Sequence, residues 1–277
     1  MSAFRVDVLL DTPLVSVRDV TCPGEPVHRG EPEHVTRTHL VFPYRGTYVR
    51  HVDGEPSVAD ASQVLLFSAG DSYQVSHPVP GGDASLSLWM DEAMLRELAP
   101  PGLLVDGPVL RFRHARLGID ARAQVLVALL RHSLRQRVAD ALEAESLALV
   151  LVHRALGRNT AHVAGSSGAK RRLVERTKVV LASDLARRWT LAGIAAEVGV
   201  SPVYLTQSFR QVEGVPLYRY HLRLRLARAL DQLAAYDDLA ALAHDLGFSS
   251  HSHFAAAFQQ AYRRSPSAFR RHILGQH

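Results

Sequence analysis

The chain has 277 residues, 47% of them hydrophobic and 21% charged, with a formal net charge of +5 at neutral pH. That length accommodates two domains. No apolar run is long enough to cross a bilayer, the N-terminus lacks the basic-then-apolar layout of a signal peptide, and a single Cys excludes an internal disulfide framework.

In chain order, the first informative stretch runs from Thr36 to Met90, where short apolar runs are punctuated by Gly, Pro and Asp. Thr38–Tyr44, Thr47–Val52, Ser62–Ser68, Tyr73–Val79 and Ala84–Met90 read as strands of a small β-barrel or sandwich. Ahead of them, Cys22 reads either as a thiol able to sense or attack an electrophile or as a small buried apolar residue, the commoner state of a free Cys. His77, Pro78 and the Gly81-Gly82 pair put polar groups at a strand end and turn, where small ligands enter barrels. Tyr44, Arg45, Tyr73, His77 and Trp89 are therefore the candidate effector contacts, with rim and packing roles as the competing reading. From Asp120 to Gly157, two helical patterns follow: Val125, Leu126, Leu129, Leu130 and Leu134, then Leu142, Leu147, Val150 and Leu151. They predict a helical hairpin. Arg158–Lys170 is small, polar and aperiodic and reads as the linker, which gives domains at 1–157 and 171–277.

Beyond the linker, one pattern is written twice. An apolar helix with a central Ala (Ala195, Ala243) leads to a turn Gly (Gly199, Gly247), then to a Ser (Ser201, Ser250) at a helix start. A Phe follows eight residues beyond that Ser (Phe209, Phe258), and the two Ser stand 49 residues apart. The chemistry suits a helix-turn-helix: a small residue where two axes cross, a residue tolerant of positive φ in the turn, and a hydroxyl to cap the next helix. Pro202 takes the first helical position, where a missing N–H costs nothing.

On the first second-helix, Val203, Thr206, Gln207 and Arg210 are predicted to face outward. Thr206 and Gln207 can bond base edges, Val203 can meet a thymine methyl, and Arg210 can reach guanine or phosphate. On the second, His251, Ser252, Ala255 and Ala256 are outward. The first unit is thus expected to supply most base readout. The second is expected to supply phosphate contacts through His251, His253 and the helix start at Ser250. The second copy also places Arg263 where the first has Gly214.

Between the copies, Pro216–Tyr236 carries Leu217, Tyr220, Leu224, Ala227, Leu230 and Leu233 at helical spacing, while Arg219, Arg223 and Arg228 can face water. A helix of this length spans roughly 30 Å, close to the ~34 Å between successive major grooves on one side of a duplex. Charge points the same way. Residues 166–277 hold 16 Lys+Arg against 8 Asp+Glu, whereas residues 1–165 hold 16 against 19. Phosphate affinity belongs to the C-terminal part.

These residues resemble the AraC/XylS family of bacterial transcription regulators. The resemblance covers about 100 residues, from Lys170 onward. It is carried by Arg225-Leu226-Ala227-Arg228-Ala229-Leu230 in the connecting helix, by Ile194-Ala195-Ala196 and Gly247-Phe248-Ser249, and by the run from Ser265 to Arg270. It implies a seven-helix DNA-binding domain whose third and sixth helices enter the major groove, and an N-terminal domain that senses a ligand or dimerises. The hairpin is then either a dimer interface or a cover for the barrel.

The fold class expected is α+β: an N-terminal cupin-like β-barrel with a helical hairpin, then an all-α domain with two helix-turn-helix units. The cupin assignment rests partly on fold-level analogy. Cupin metal sites use a tight His-x-His followed by Glu, and His28, His34, His39, His51 and His77 do not make that pattern. Neither a metal nor another cofactor is expected, and no catalytic residue is assigned. The expected function is sequence-specific regulation of transcription under a small-molecule effector, in the cytoplasm and away from membranes. Double-stranded DNA and a second copy of the chain are the expected partners, with RNA polymerase joining them for an activator. The alternatives are a DNA binder whose barrel only dimerises, and a metal-dependent cupin enzyme with a DNA-binding tail.

Overall fold

The structure is a computed structural model that describes residues 4–24, 29–105, 107–157 and 167–274. The chain divides into two compact units, Met1–Ala164 and Gly165–His277. His28 and residues 158–166 of the expected linker lie outside the described residues.

The first unit begins with two strands, β1 (Arg5–Asp11) and β2 (Val15–Cys22). The sequence reading missed both, although Val15, Val17 and Val20 carry the β-branched signature. Strands β3 (Glu33–His34), β4 (His39–Arg45), β5 (Tyr48–Val52), β6 (Glu55–Ala59), β7 (Gln63–Phe67), β8 (Ser72–Ser76) and β9 (Asp83–Met90) follow. After helix α1 (Glu92–Leu98) come the short strands β10 (Leu104–Val105), β11 (Arg111–Phe112) and β12 (Arg116–Gly118). The pairing is antiparallel throughout, in a six-stranded ladder β1-β2-β9-β4-β7-β12, a four-stranded ladder β3-β8-β5-β6 and a β10-β11 pair. The two larger ladders are not hydrogen-bonded into one ring among the described strands.

Side-chain alternation gives the six-stranded sheet two different faces. Leu40, Phe42 and Tyr44 of β4, with Leu86 and Leu88 of β9, pack under helices α2 (Ala121–Arg135) and α3 (Ala141–Gly157). On the opposite face, Val41, Leu65 and Phe67 meet Tyr48, Ala59, Tyr73 and Val75 of the smaller sheet. Strand β7 is buried on both faces, which explains its unbroken apolar run.

The helical hairpin forms, but its buried stripes differ from those expected. Ala123, Val127, Leu130 and Leu134 face inward on α2, as do Ala144, Ala148, Leu151, Val152 and Ala155 on α3. Leu142 and Val150, members of the expected apolar pattern, are 73% and 53% exposed. Ala and larger aliphatic residues thus share the inner faces, with Leu130, Leu134 and Leu151 of the expected patterns among them. Buried Asp19 of β2 anchors α2: it accepts hydrogen bonds from Tyr44 Oη at 2.6 Å and Arg135 Nε at 2.7 Å.

The second unit is all-helical: α4 (Gly168–Ser183), α5 (Leu191–Glu197), α6 (Pro202–Glu213), α7 (Leu217–Gln232), α8 (Leu239–Asp245), α9 (His251–Tyr262) and α10 (Pro266–Ile273). Ser167 caps α4, so residues 168–170, expected in the linker, are helical. The connecting helix α7 has 16 residues, shorter than Pro216–Tyr236, and spans only about 24 Å. Beyond its end, Arg270 Nη1 donates to the carbonyls of Tyr236 and Asp237, both at 2.8 Å. Helix length therefore does not by itself match the groove repeat. The two halves also differ inside. The first packs mainly aliphatic residues around Phe209 and Tyr220, whereas the second stacks Phe248, Phe254, Phe258, Tyr262 and Phe269 edge to face.

Candidate nucleic-acid interface

Helices α6 and α9 are the second helices of the repeated units, and each has 12 residues. Ser201 accepts the N–H of Tyr204 and Ser250 accepts that of His253. Each cap satisfies one of the free amides of a first turn and leaves others for an anion. Leu205 and Phe209 anchor α6 from below, and Phe254 and Phe258 anchor α9; all four are fully buried.

That anchoring turns Val203, Thr206, Gln207 and Arg210 outward together, and all four are exposed. Their spacing places them on one helical face. Thr206 spends its hydroxyl proton on the carbonyl of Pro202, at 2.9 Å, and so presents lone pairs and a methyl group outward. On α9, Ser252 and Ala256 are exposed and Ala255 is half-buried. His251 is exposed, and exposed His253 is fixed, its Nδ1 3.0 Å from Ser249 Oγ and its ring edge-on to Phe248. The sequence reading missed Gln259. It is exposed and follows Arg210 by 49 residues, the offset between the caps, so carrying that offset one turn further would have found it. It missed exposed Tyr204 and Gln211 as well.

The two units are fastened by one side chain. Arg225, on α7, donates from Nε to the carbonyl of Leu185 (2.8 Å) and from Nη2 to those of Ala186 (3.0 Å) and Arg187 (2.9 Å). Its Nη1 donates to the carbonyl of Gly247, in the turn of the second unit, at 3.2 Å. Burial pulls its pKa down, but from so high a starting value that the guanidinium keeps its charge. Beside it, His221 is held at about 4, chiefly by burial and then by the charge of Arg225. Both turn glycines have positive φ, 71° at Gly199 and 77° at Gly247. Only Gly247 is hemmed in: a Cβ there would overlap the carbonyl of Ala186, whereas Gly199 faces open space. On the flank, buried Lys178 of α4 pairs with Glu213 at the end of α6, at 2.7 Å. Arg228, expected to face water, is half-buried and paired with Asp231 at 3.1 Å.

In the first unit the five candidate effector residues do not converge. Tyr44 lies on the helix-facing side of the six-stranded sheet, bonded to Asp19, while Tyr73 lies between the sheets against Phe67 and donates to Glu33 at 2.6 Å. Trp89 stacks under the guanidinium of Arg37, and Arg45 is half-buried near Tyr44. His77 sits with Cys22 and Asp83. Of the other histidines, His39 stacks on Phe67 and approaches the carbonyl of Arg37, His51 bonds Ser76, and His34 is exposed. Among the described residues no helix is long and apolar enough to cross a membrane.

Two capped, outward-facing helices in a basic unit define the class: a DNA-binding domain with paired helix-turn-helix units. A helix-turn-helix domain family matches residues 194–272. Regulatory protein PocR of Salmonella typhimurium is 33% identical over 84 residues, 30% of this chain and 28% of PocR. LumQ of Photobacterium leiognathi is 27% identical over 221 residues, 78% of this chain and 84% of LumQ. The match with PocR thus spans less than a third of that relative's length. Unsaturated fatty acid bound ToxT from Vibrio cholerae is similar at 15% identity over 95% of this chain and 96% of ToxT, with a TM-score of 0.36. Residues 194–272 carry that domain match, and putative AraC-like transcription regulators of Streptomyces are among the relatives to which the chain is similar.

Proposed function

We propose that the chain is a sequence-specific transcription regulator that reads DNA unequally with its two units. The observation that carries this is the contrast between two equally built helices: α6 exposes Val203, Thr206, Gln207 and Arg210, while α9 has Ser252, Ala255, Ala256 and Gln259 at the matching positions, so Ala replaces both Thr206 and Gln207. Base discrimination comes mainly from Gln207 and Arg210, each bidentate contact contributing about 1–3 kcal/mol. Helix α9 contributes phosphate contacts from His251, His253 and its capped start, with Gln259 as its one long base-capable side chain.

We read the first unit, residues 1–157, as a cupin-like sensor and dimerisation domain joined by a linker that ends at Ser167, short of the expected 158–170, to the DNA-binding domain that begins with α4. The layer of Phe67, Tyr73 and Val75 between the sheets supports an effector position there, with Tyr73 as the contact; Tyr44 serves the hairpin instead, and His77 and Trp89 stand near opposite ends of β9. Exposed Val138, Leu142 and Val150 on and beside α3 support a homodimer built on the hairpin. An effector that binds one arrangement of sheet and hairpin more tightly shifts the population of DNA-competent dimers.

The test is binding to a duplex selected from random sequence, at fixed salt. Gln207→Ala and Arg210→Ala should each weaken binding about 5–150-fold, the range of one bidentate contact. Unchanged affinity in both variants would remove base readout from α6.

A further inference from the structure

We propose that Cys22, His77 and Asp83 form a binding site for a thiophilic divalent cation of the zinc and cobalt class. Cys22 and Asp83 lie directly opposite each other across β2 and β9, and His77, just beyond β8, reaches over both. Cys22 Sγ is 3.6 Å from His77 Nε2, and His77 Nδ1 is 2.8 Å from Asp83 Oδ2. Ligand atoms from the three residues, one each, lie within 4.8 Å of one another. A sulfur and a nitrogen on a tetrahedral ion stand about 3.6 Å apart, the separation of Cys22 Sγ and His77 Nε2. Asp83 meets the other ring nitrogen, Nδ1, so it becomes a direct ligand once its carboxylate turns from Nδ1 toward the ion held by Cys22 Sγ and His77 Nε2.

The corner is also built to hold these residues still. Gly24, Gly46 and Gly82 all have positive φ, and a Cβ on any of them would collide with a neighbouring backbone. The added atom would strike Gly82 from Gly24, Gly82 and Asp83 from Gly46, and the Cys22 carbonyl from Gly82. The chain beside Cys22 is thus pressed directly onto the chain beside Asp83, which fixes two of the three donors at the backbone. The side chains of His77 and Asp83 are only 12% and 11% exposed, so the imidazole and carboxylate are largely withdrawn from water.

The donor set decides the ion. One thiolate, one imidazole and one carboxylate suit zinc or cobalt, and do not suit magnesium or calcium, which take oxygen ligands. Three protein ligands leave a fourth position for water or another small ligand. A bound ion would tie the turn before β9 to β2, the strand whose Asp19 holds Arg135 of the hairpin. The site stands independently of the DNA-reading proposal.

The test uses the full chain with Co(II) as probe. Cys22 is the single Cys, so any thiolate-to-cobalt charge-transfer band reports on it alone. The chain should bind one Co(II) with that band and tetrahedral d–d bands, and Zn(II) should displace it. Cys22→Ser should abolish the charge-transfer band. Asp83→Asn, which removes the carboxylate ligand, should weaken uptake by at least the roughly 10–100-fold typical of losing a mere orienting partner. His34→Ala, on exposed β3, should bind as the parent does. In the unsubstituted chain, Zn(II) should slow alkylation of Cys22 by iodoacetamide. The proposal is overturned by no cobalt uptake, by a charge-transfer band that survives Cys22→Ser, or by alkylation indifferent to Zn(II). That last result would mark Cys22 as a thiol that reacts without a metal.

Discussion

Replacing Arg225 with Lys keeps the charge and removes the fork. The guanidinium serves four carbonyls from three nitrogens, three in residues 185–187 and one at Gly247. An ammonium donates from a single point and can reach about two of these groups in their present places. A hydrogen bond to a charged donor contributes roughly 1.5–3 kcal/mol. The site is half-buried, so water can reach some of the freed carbonyls, and the low end applies. Two lost bonds then cost about 3 kcal/mol. For a unit of this size that lowers the melting temperature by on the order of 12 °C. Calorimetry on the full chain, read on the transition of the C-terminal unit, measures this directly. Because the lost bonds hold the two reading units together, affinity for a selected duplex should fall as well, at temperatures where the variant remains folded. A melting temperature within a degree or two of the parent's would refute the reasoning, since the four contacts would then carry no stability.

The two turn glycines should respond unequally: Gly199→Ala should cost about 1 kcal/mol, the strain of a left-handed residue alone, and Gly247→Ala distinctly more because its Cβ overlaps Ala186. Equal losses in denaturant titrations would mean that the close approach is not felt. Arg263 caps α9 with φ at 61°, where α6 ends in Gly214, so Arg263→Gly should stabilise the chain by about 1 kcal/mol; a loss in urea unfolding would contradict this. His221, held at about 4 beside Arg225 and Asp184 and against the Leu185 carbonyl, binds its proton more readily when unfolded, at its ordinary value of 6.5. Its contribution is therefore complete above pH 6.5 and is lost as pH falls toward 4. His221→Gln, which keeps a donor for Leu185, should flatten the fall in melting temperature across that window; an unchanged slope would exclude His221 as its source.

The C-terminal unit was legible because its signals are local. Ser201, Ser250, Gly199 and Gly247 act through their own turns, and a repeat of 49 residues shows them twice. Arg225 was visible only as part of a family-like run, because its role depends on carbonyls about 40 residues before it and 22 after. The connecting helix was read too long because apolar spacing continues through Leu233, while the chain beyond it bonds to Arg270 from the far end of the unit. In the first unit, the hairpin's presence followed from periodicity but which members of each pattern are buried did not: Leu130, Leu134 and Leu151 face inward, while Leu142 and Val150 are exposed and Ala144, Ala148 and Ala155 take inner positions. Tyr44 was assigned to a ligand because residue type does not reveal which face of a buried strand a side chain takes. The Cys22, His77 and Asp83 cluster had no sequence signature, since its donors come from three separate segments and lack the His-x-His spacing.

The central claim, that two similar helices read DNA unequally, is tested most directly by selecting duplexes from random sequence with the full chain and with Gln207→Ala. The parent should enrich a site with one strongly specified block and one weakly specified block, centred about 10 base pairs apart. Gln207→Ala should relax the strong block and leave the weak one unchanged. Two equally specified blocks, or a strong block untouched by Gln207→Ala, would contradict the account.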